Sequence, residues 1–139
     1  MKLEFSAGGV VYKKEGNQIL ILVSQHSGHH GWVFPKGFIG DKITGEKKED
    51  TAVREVKEET GIEAEIEKPL TPVTYWYVMD GEKRKKTVYY FIMISLGGDI
   101  NDHDFEMEKV EWFPEDQVLE RLTYPSDKEV WKEAKKFID

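Results

Sequence analysis

Residues 32–62 read WVFPKGFIGDKITGEKKEDTAVREVKEETGI, and the second half of this segment predicts a helix with two different faces. In a helix from about Glu49 to Thr60, at about 100° per residue, the apolar residues share one arc. These are Ala52, Val53 and Val56, and the glutamates Glu55, Glu58 and Glu59 share another. The apolar arc can pack on a core while the acidic arc faces a cleft, and Gly61 supplies the C-terminal stop.

The three glutamates repel one another. Glu55 lies three residues before Glu58 and four before Glu59, and each such pair costs roughly 0.2–0.5 kcal/mol in an isolated helix. A hard divalent cation would offset this repulsion, because Mg²⁺ takes oxygen ligands from carboxylates and substrate phosphates. The alternative is a solvated acidic face, which is what most charge runs are. The spacing of further residues favours the metal site.

A longer motif contains these glutamates. The series Gly-x5-Glu-x7-Arg-Glu-aliphatic-x-Glu-Glu-x-Gly-aliphatic is complete at Gly40, Glu46, Arg54, Glu55, Val56, Glu58, Glu59, Gly61 and Ile62. In this series the chain resembles the Nudix hydrolases. The resemblance implies an α/β/α sandwich with a mixed sheet, and Mg²⁺ or Mn²⁺ as the cofactor. It also implies that Glu55, Glu58 and Glu59 are the metal ligands and that Arg54 is their orienting partner in the catalytic machinery.

The position of the motif glycine has two interpretations. Nudix proteins commonly have a Pro-Lys-Gly turn directly before the loop, with its glycine in the first position of the series. Here Pro35-Lys36-Gly37 lies three residues too early. Either Gly40 is the motif glycine by count, or Gly37 is its structural equivalent and an insertion follows. We favour Gly37 as the metal ligand because its local context matches better.

The composition restricts the class of protein. The 139 residues, 39% hydrophobic and 34% charged, suit one globular domain over residues 1–139. The chain has no apolar run of about 18 residues and no signal-peptide core, so we expect a cytoplasmic protein without a membrane partner. The absence of cysteine excludes disulfides and thiolate-ligated zinc. A net charge of −7 argues against a stable nucleic-acid complex, and we expect a monomer or a homodimer.

Hydrophobic patterning predicts strands and helices in an order that gives a mixed sheet between helices. Strands are expected at 3–14, 18–25, 62–67, 73–79, 85–96 and 110–113, and helices at 115–122 and 127–138. Paired glycines at Gly8-Gly9 suggest either a β-bulge or a close approach by another backbone or a ligand, and Asp80-Gly81 is a hairpin turn. The terminal helix should bury Val130, Trp131, Ala134 and Phe137.

Hydrolysis of a pyrophosphate link needs charge neutralisation, a positioned water and a proton acceptor. The motif glutamates can supply the first two through bound metal, and Glu46 can support the metal site. Nudix proteins often take a further glutamate from a later loop as ligand or general base. Glu106 best matches that placement, and Glu108 is the second choice.

Lysine and aromatic residues suggest the substrate. Trp32-x-Phe34-Pro35-Lys36-Gly37, Tyr75-Trp76-Tyr77 and residues 86–91 look like the diadenosine polyphosphate hydrolase branch of the family. That resemblance implies that lysines contact the phosphate chain and that aromatic side chains stack on adenine. We assign these substrate roles to Lys36, Lys86, Tyr75, Tyr77 and Tyr90. In the alternative interpretation Trp76, Tyr89 and Phe91 belong to the core and the three tyrosines line a cleft or an interface.

These features together predict a metal-dependent hydrolase acting on a small nucleoside polyphosphate, with diadenosine tetraphosphate as the preferred hypothesis. Other Nudix substrates are alternatives, namely nucleoside triphosphates, diphosphoinositol polyphosphates and the 5′ pyrophosphate of RNA. A noncatalytic nucleotide sensor would usually have lost motif carboxylates, and none is lost here. A structural acidic domain that binds Ca²⁺ or a basic partner is a further alternative.

Overall fold

The computed structural model describes residues 1–138 and has an eight-stranded sheet at its centre. The strands are β1 (Lys2–Glu15), β2 (Gln18–His26), β3 (Trp32–Val33), β4 (Lys36–Phe38), β5 (Ile62–Pro69), β6 (Val73–Met79), β7 (Glu82–Gly98) and β8 (Met107–Pro114). Their order is β3-β2-β1-β7-β5, with β4 paired to β1, β6 to β7 and β8 to β2. The sheet is mixed because the long β1 and β7 pair in parallel while their other neighbours are antiparallel.

Helices cover both faces of the sheet. On one face, α1 (Lys48–Thr60) packs Ala52 and Val56 into a cluster with Met93. On the other face, α2 (Val118–Arg121) and α3 (Pro125–Ala134) pack with Val10 and Tyr90. This arrangement confirms the predicted α/β/α sandwich. None of the helices in residues 1–138 is long and apolar enough to cross a membrane.

Two glycines of β1 let neighbouring segments approach its backbone. The amide of Gly9 donates to the carbonyl of Pro35 over 3.1 Å, and a side chain at Gly8 would collide with the same carbonyl. On the α1 side, a Cβ at Gly9 would lie 3.1 Å from Val56 Cγ2. The glycine pair therefore brings both β4 and α1 onto β1, as the paired glycines predicted.

The β6–β7 hairpin turns at Asp80 and Gly81, whose φ angles are 53° and 73°, which confirms the predicted turn. Alternation along β6 places Tyr75 and Tyr77 on one face and Trp76 on the other. The interpretation of Trp76 as a core residue is wrong, because the side chain is 49% exposed.

The segment from Glu115 to Ile138 departs from the predicted helix boundaries. A 3₁₀ turn over Glu115–Gln117 precedes the four-residue α2, where one helix over 115–122 was predicted. The terminal helix begins at Pro125, since proline suits the first turn of a helix. It ends at Ala134, and the tight turn after it leaves Phe137 49% exposed and buries Ile138 instead. The prediction of a buried Phe137 is therefore wrong.

Candidate functional site

The acidic face of α1 packs against the backbone of β4. Glu55 and Glu59 are only 6% and 5% exposed. The amide of Lys36 donates to Glu59 Oε2 over 3.0 Å, and a side chain at Gly37 would collide with the Glu55 carboxylate. Gly40 lies away from the glutamates, in the following loop with φ 75°. Of the two candidate glycines, Gly37 is therefore the one whose backbone lies against the acidic helix face.

Arg54 connects the motif carboxylates. Its Nε and Nη2 donate to the two oxygens of Glu46 over 2.9 and 2.8 Å. Its Nη1 lies 3.0 Å from both Glu55 Oε1 and Glu58 Oε2, and Nη2 donates to Asp41 over 2.8 Å. Arg54 thus holds the carboxylates in position from the loop side of the helix, in the orienting geometry that its spacing predicted.

Burial changes the protonation of these carboxylates. It raises the pKa of Glu55 to about 7, with the nearby Asp41 charge adding to the effect and Arg54 opposing it. Burial also raises the pKa of Glu59 well above its ordinary value, while the positive charge of Lys36 opposes the rise. The hydrogen bonds from Arg54 lower the pKa of Glu46. Glu55 and Glu59 are therefore destabilised as anions until a cation offsets their charge.

The donor set suits a hard divalent cation, since it consists of carboxylate oxygens next to the backbone of Gly37. Within residues 1–138, no three acidic, His or Cys side chains already stand grouped as metal ligands. Glu58 contacts both Arg54 and Lys42, with Lys42 Nζ 3.1 Å away. Glu59, in contrast, forms no ion pair with any residue among the described residues 1–138. Two buried carboxylates with raised pKa values and a closely packed glycine backbone fit an incoming cation.

Two adjoining cavities lie beside these residues. The first, of about 460 Å³, is named the acidic cavity; its charged lining includes Asp41, Glu55, Glu58, Glu59, Asp104 and Glu106, together with Lys36, Lys42 and Lys86. The second, of about 540 Å³, is named the aromatic cavity and is lined by Tyr75, Tyr77, Tyr90, Tyr124, His29 and Asp127, among others. Lys36, Tyr75 and Tyr77 line both cavities.

Each residue assigned to substrate binding lines at least one of the two cavities. Lys86 lines the acidic cavity, and its ammonium lies 4.5 Å from the ring centre of Phe38. Burial and the nearby charge of Lys36 lower the pKa of Lys86 to about 8. Tyr90 lines the aromatic cavity although it is only 3% exposed, so it forms part of the cavity floor.

Of the two candidates for the general base, only one lines the acidic cavity. Glu106 lines the acidic cavity, whereas Glu108 lies outside that lining and contacts His30 Nδ1 over 3.1 Å. The loop that carries Glu106 is tied to α1, because the amide of Asp104 donates to the carbonyl of Glu58 over 3.1 Å. Glu106 is therefore the better placed of the two.

Sequence reasoning missed three acidic residues of the site. Asp41 contacts Arg54, and Asp104 lines the acidic cavity; both stand in loops with many charges, where single residues carry no distinguishing signal. Asp127 is 4% exposed and accepts a hydrogen bond from the amide of Phe34 over 3.3 Å. Burial raises the pKa of Asp127, and its place in the first turn of a predicted helix did not indicate this contact.

Known proteins resemble the chain over most of its length. A family model described as the NUDIX domain matches residues 2–135. The protein named MutT4 of Mycobacterium tuberculosis is 37% identical over 142 residues, covering 98% of this chain and 56% of the relative. An 8-oxo-(d)GTP phosphatase of Mycolicibacterium smegmatis is 36% identical over 79% of this chain and 32% of its own length. The chain thus spans about half or less of these two relatives.

Two diadenosine or dinucleoside tetraphosphate hydrolases are also similar to the chain. The asymmetrical bis(5′-nucleosyl)-tetraphosphatase of Rattus norvegicus is 27% identical over 85% of this chain and 79% of its own length. A crystal structure of a Caenorhabditis elegans Ap4A hydrolase binary complex superposes with a TM-score of 0.74, at 22% identity, over 96% of each chain. At that identity the structural likeness shows a shared fold.

Proposed function

The chain belongs to the NUDIX domain family, and from this premise we propose that it is a metal-dependent hydrolase of nucleoside polyphosphates, with diadenosine tetraphosphate as its substrate. The observation that carries the proposal is the junction of two cavities of different chemistry. Carboxylates and lysines line one, tyrosines line the other, and Lys36, Tyr75 and Tyr77 border both. A ligand with an aromatic base and a phosphate chain matches this junction.

The aromatic cavity suits a nucleoside. Stacking of a base on an aromatic side chain contributes about 1–3 kcal/mol, and Tyr75, Tyr77 and Tyr124 all line the cavity. Asp127 adds a buried carboxylate to the same lining. Its oxygens can accept hydrogen bonds from the amino group of a base such as adenine.

The acidic cavity suits the phosphate chain once its charge is balanced. Lys36 and Lys86 line it on the side next to the tyrosines, so their ammonium groups can contact phosphates as a base occupies the neighbouring cavity. These cations supply positive charge locally on a chain whose net charge is −7. A bound divalent ion would complete the neutralisation.

The catalytic arrangement is built on α1. Glu55, Glu58 and Glu59, with the carbonyl of Gly37, would hold Mg²⁺ or Mn²⁺. A divalent ion in such a site neutralises phosphoryl oxygens and lowers the pKa of water. Arg54 fixes the orientation of Glu55 and Glu58 through its contacts at 3.0 Å. Glu106 lines the same cavity and would accept a proton from the attacking water.

A substrate panel tests this proposal. Dinucleoside polyphosphates, nucleoside triphosphates, 8-oxo-dGTP, ADP-ribose and diphosphoinositol polyphosphates are incubated with the protein and Mg²⁺, and the products are identified by mass spectrometry. We expect the highest kcat/KM for diadenosine tetraphosphate, with either AMP and ATP or two molecules of ADP as the products, so that all four phosphates are accounted for. No turnover of any nucleotide, or turnover of diphosphoinositols alone, would contradict the proposal.

A second candidate function is the hydrolysis of a nucleoside triphosphate, including an oxidised one. It is favoured by the 36% identity to a relative named 8-oxo-(d)GTP phosphatase. The aromatic cavity and the acidic cavity serve either substrate. The same panel separates the two, because a triphosphate enzyme would gain nothing from a second nucleoside.

A further inference from the structure

Ser6 is a buried residue of the acidic cavity to which the proposed function assigns no role. It lines the cavity although it is only 1% exposed. Alternation along β1 puts Glu4 and Gly8 on the same face as Ser6, and side chains of directly paired residues share a face of the sheet. Lys86 pairs with Glu4, and Lys36 pairs with Gly8. Ser6 therefore lies between the two lysines, on the face that they share.

The hydroxyl of Ser6 is buried without a hydrogen-bond partner within residues 1–138. A buried hydroxyl in this condition destabilises a protein, whereas a hydrogen atom in its place would not. For this reason most buried polar groups are hydrogen-bonded. Packing of the sheet therefore does not account for a serine at this position. A ligand that accepts a hydrogen bond here would account for it.

The charged groups beside this hydroxyl are available to an anion. Among the described residues 1–138, neither Lys36 nor Lys86 forms an ion pair. The neighbouring carboxylate of Glu4 already accepts hydrogen bonds from Tyr77 and Arg84. Burial, and then the charge of Lys36, lower the pKa of Lys86, so an anion between the two ammonium groups would relieve their repulsion. Three hydrogen-bond donors thus face one region of the cavity, and two of them carry positive charge.

The side chains of Lys86 and Phe38 meet above Ser6. They belong to β7 and β4, which pair with opposite edges of β1, and the Lys86 ammonium lies 4.5 Å from the centre of the Phe38 ring. The two side chains therefore reach toward each other across β1, which accounts for the low exposure of Ser6. Because a lysine side chain is long and flexible, its ammonium can move toward a phosphate and uncover the hydroxyl.

We propose that Ser6 is a further substrate-binding residue, whose hydroxyl donates a hydrogen bond to a phosphoryl oxygen held between Lys36 and Lys86. The inference rests on the proposed function, since it concerns the phosphate chain of that substrate. A phosphoryl group has several acceptor oxygens and a negative charge, so it matches a region where two cations and a hydroxyl donor lie together. The contact does not depend on a nucleoside and serves any phosphate chain bound in the acidic cavity.

Ser6→Ala tests the inference, with Ser24→Ala as the matched control. Ser24 is also fully buried, and its hydroxyl likewise has no hydrogen-bond partner in the part of the chain that the structure describes, but it lies outside the cavity linings. In Ser6→Ala we expect KM for diadenosine tetraphosphate to rise about tenfold, from the loss of one hydrogen bond to a charged group. Ser24→Ala should keep the wild-type KM. Neither variant should have a lower melting temperature than wild type, because removal of an unsatisfied buried hydroxyl does not destabilise a fold.

Calorimetric titration with methylenediphosphonate, in the presence of Mg²⁺, provides a readout that needs no turnover. This ligand has two phosphoryl groups, no nucleoside and a methylene bridge that hydrolysis does not cleave. Its dissociation constant should rise about tenfold in Ser6→Ala and stay unchanged in Ser24→Ala.

Equal affinity of wild type and Ser6→Ala for methylenediphosphonate, including no binding by either, would overturn the inference while turnover by the wild type kept the proposed function intact. A melting temperature of Ser6→Ala below that of wild type would also overturn it, because the hydroxyl would then stabilise the fold. A wild type that binds methylenediphosphonate through Ser6 and hydrolyses no nucleotide would overturn the proposed function alone.

Discussion

Gly37 and Gly40 lack side chains for different reasons. At Gly37, a Cβ would collide with the carboxylate of Glu55. At Gly40, φ is 75° and the nearest atom to an added Cβ is the carbonyl oxygen of Ile43 at 3.6 Å. The first glycine makes room for a motif carboxylate, and the second permits a left-handed turn. The two substitutions by alanine should therefore have different consequences.

We expect Gly37→Ala to lower kcat by about tenfold or more, because the added methyl group displaces Glu55 and misplacement at a reacting centre is costly. Its melting temperature should fall little. Gly40→Ala should instead lower the free energy of unfolding by about 1 kcal/mol, the cost of a left-handed conformation, and keep kcat. Steady-state kinetics and urea unfolding of both variants test this. If instead Gly40→Ala lowered kcat and Gly37→Ala lowered only the stability, Gly40 would be the metal-site glycine.

Lys86 should make substrate affinity depend on pH. Burial and the charge of Lys36 lower its pKa to about 8, so the free enzyme loses this positive charge as pH rises through that value. We expect KM for a polyphosphate substrate to rise above about pH 8. Lys86→Arg should remove that rise, because arginine keeps its charge over the whole range. A KM profile identical in wild type and Lys86→Arg would exclude Lys86 from phosphate binding.

Single residues of the site were predictable where a motif or a local spacing specified them. The positions of Glu55 and Glu59 follow from helical periodicity, and Arg54 contacts Glu58 at the predicted spacing of one helical turn. Asp127 was not predictable, because its hydrogen bond to Phe34 joins residues 93 positions apart. No local pattern encodes such a contact.

At the scale of elements, the close packing of α1 on β1 depends on the absence of a side chain at Gly9. A Cβ there would lie 2.8 Å from Met93 Sδ and 3.1 Å from Val56 Cγ2, and both side chains are fully buried. We expect Gly9→Ala to lower the free energy of unfolding by about 1–3 kcal/mol, as overpacking of a core does. Denaturant unfolding measures this, and Gly9→Ala combined with Val56→Ala should recover part of the loss. An unchanged stability in Gly9→Ala would show that α1 is not packed tightly on β1.

Elements with a clear local sequence pattern were predictable from the sequence. Elements whose boundaries depend on tertiary contacts were less predictable. The dense aromatic cluster after Pro72 predicted β6 over Val73–Met79 to the residue, and the Asp80-Gly81 turn predicted its hairpin. The region after Pro114 lacked such a signal. Gln117, at φ −106° and ψ −8°, changes the hydrogen-bond pattern from 3₁₀ to α, which hydrophobic spacing does not reveal.

At the scale of the whole molecule, the buried carboxylates that form the site also reduce the stability of the fold when they are ionised. Burial raises the pKa of Glu55 to about 7, above its ordinary value near 4.5, so the folded protein binds this proton more tightly than the unfolded chain. Between these two values the unfolded chain releases the proton first. The contribution of Glu55 to stability is therefore present at low pH and is lost as pH rises to about 7.

We expect the melting temperature of the metal-free protein to fall between about pH 5 and pH 7, because the buried Glu55 carboxyl ionises in this range. Glu55→Gln should show a smaller fall, because the glutamine side chain does not ionise. Saturating Mg²⁺ should raise the melting temperature of wild type most at the upper end of that range, where the carboxylate is ionised. Calorimetry across the range, with and without Mg²⁺, measures both effects. Equal slopes in wild type and Glu55→Gln would contradict this interpretation of Glu55.

The most direct measurement compares Mg²⁺-dependent nucleotide release from diadenosine tetraphosphate by wild type, Glu58→Gln and Glu49→Gln. Glu58 is a proposed metal ligand, and Glu49 is an exposed residue in the first turn of the same helix. We expect Glu58→Gln to lose about a hundredfold or more in kcat, while Glu49→Gln keeps the wild-type rate and both variants remain folded. Equal rates in wild type and Glu58→Gln would remove the acidic face of α1 from the chemistry and contradict the account.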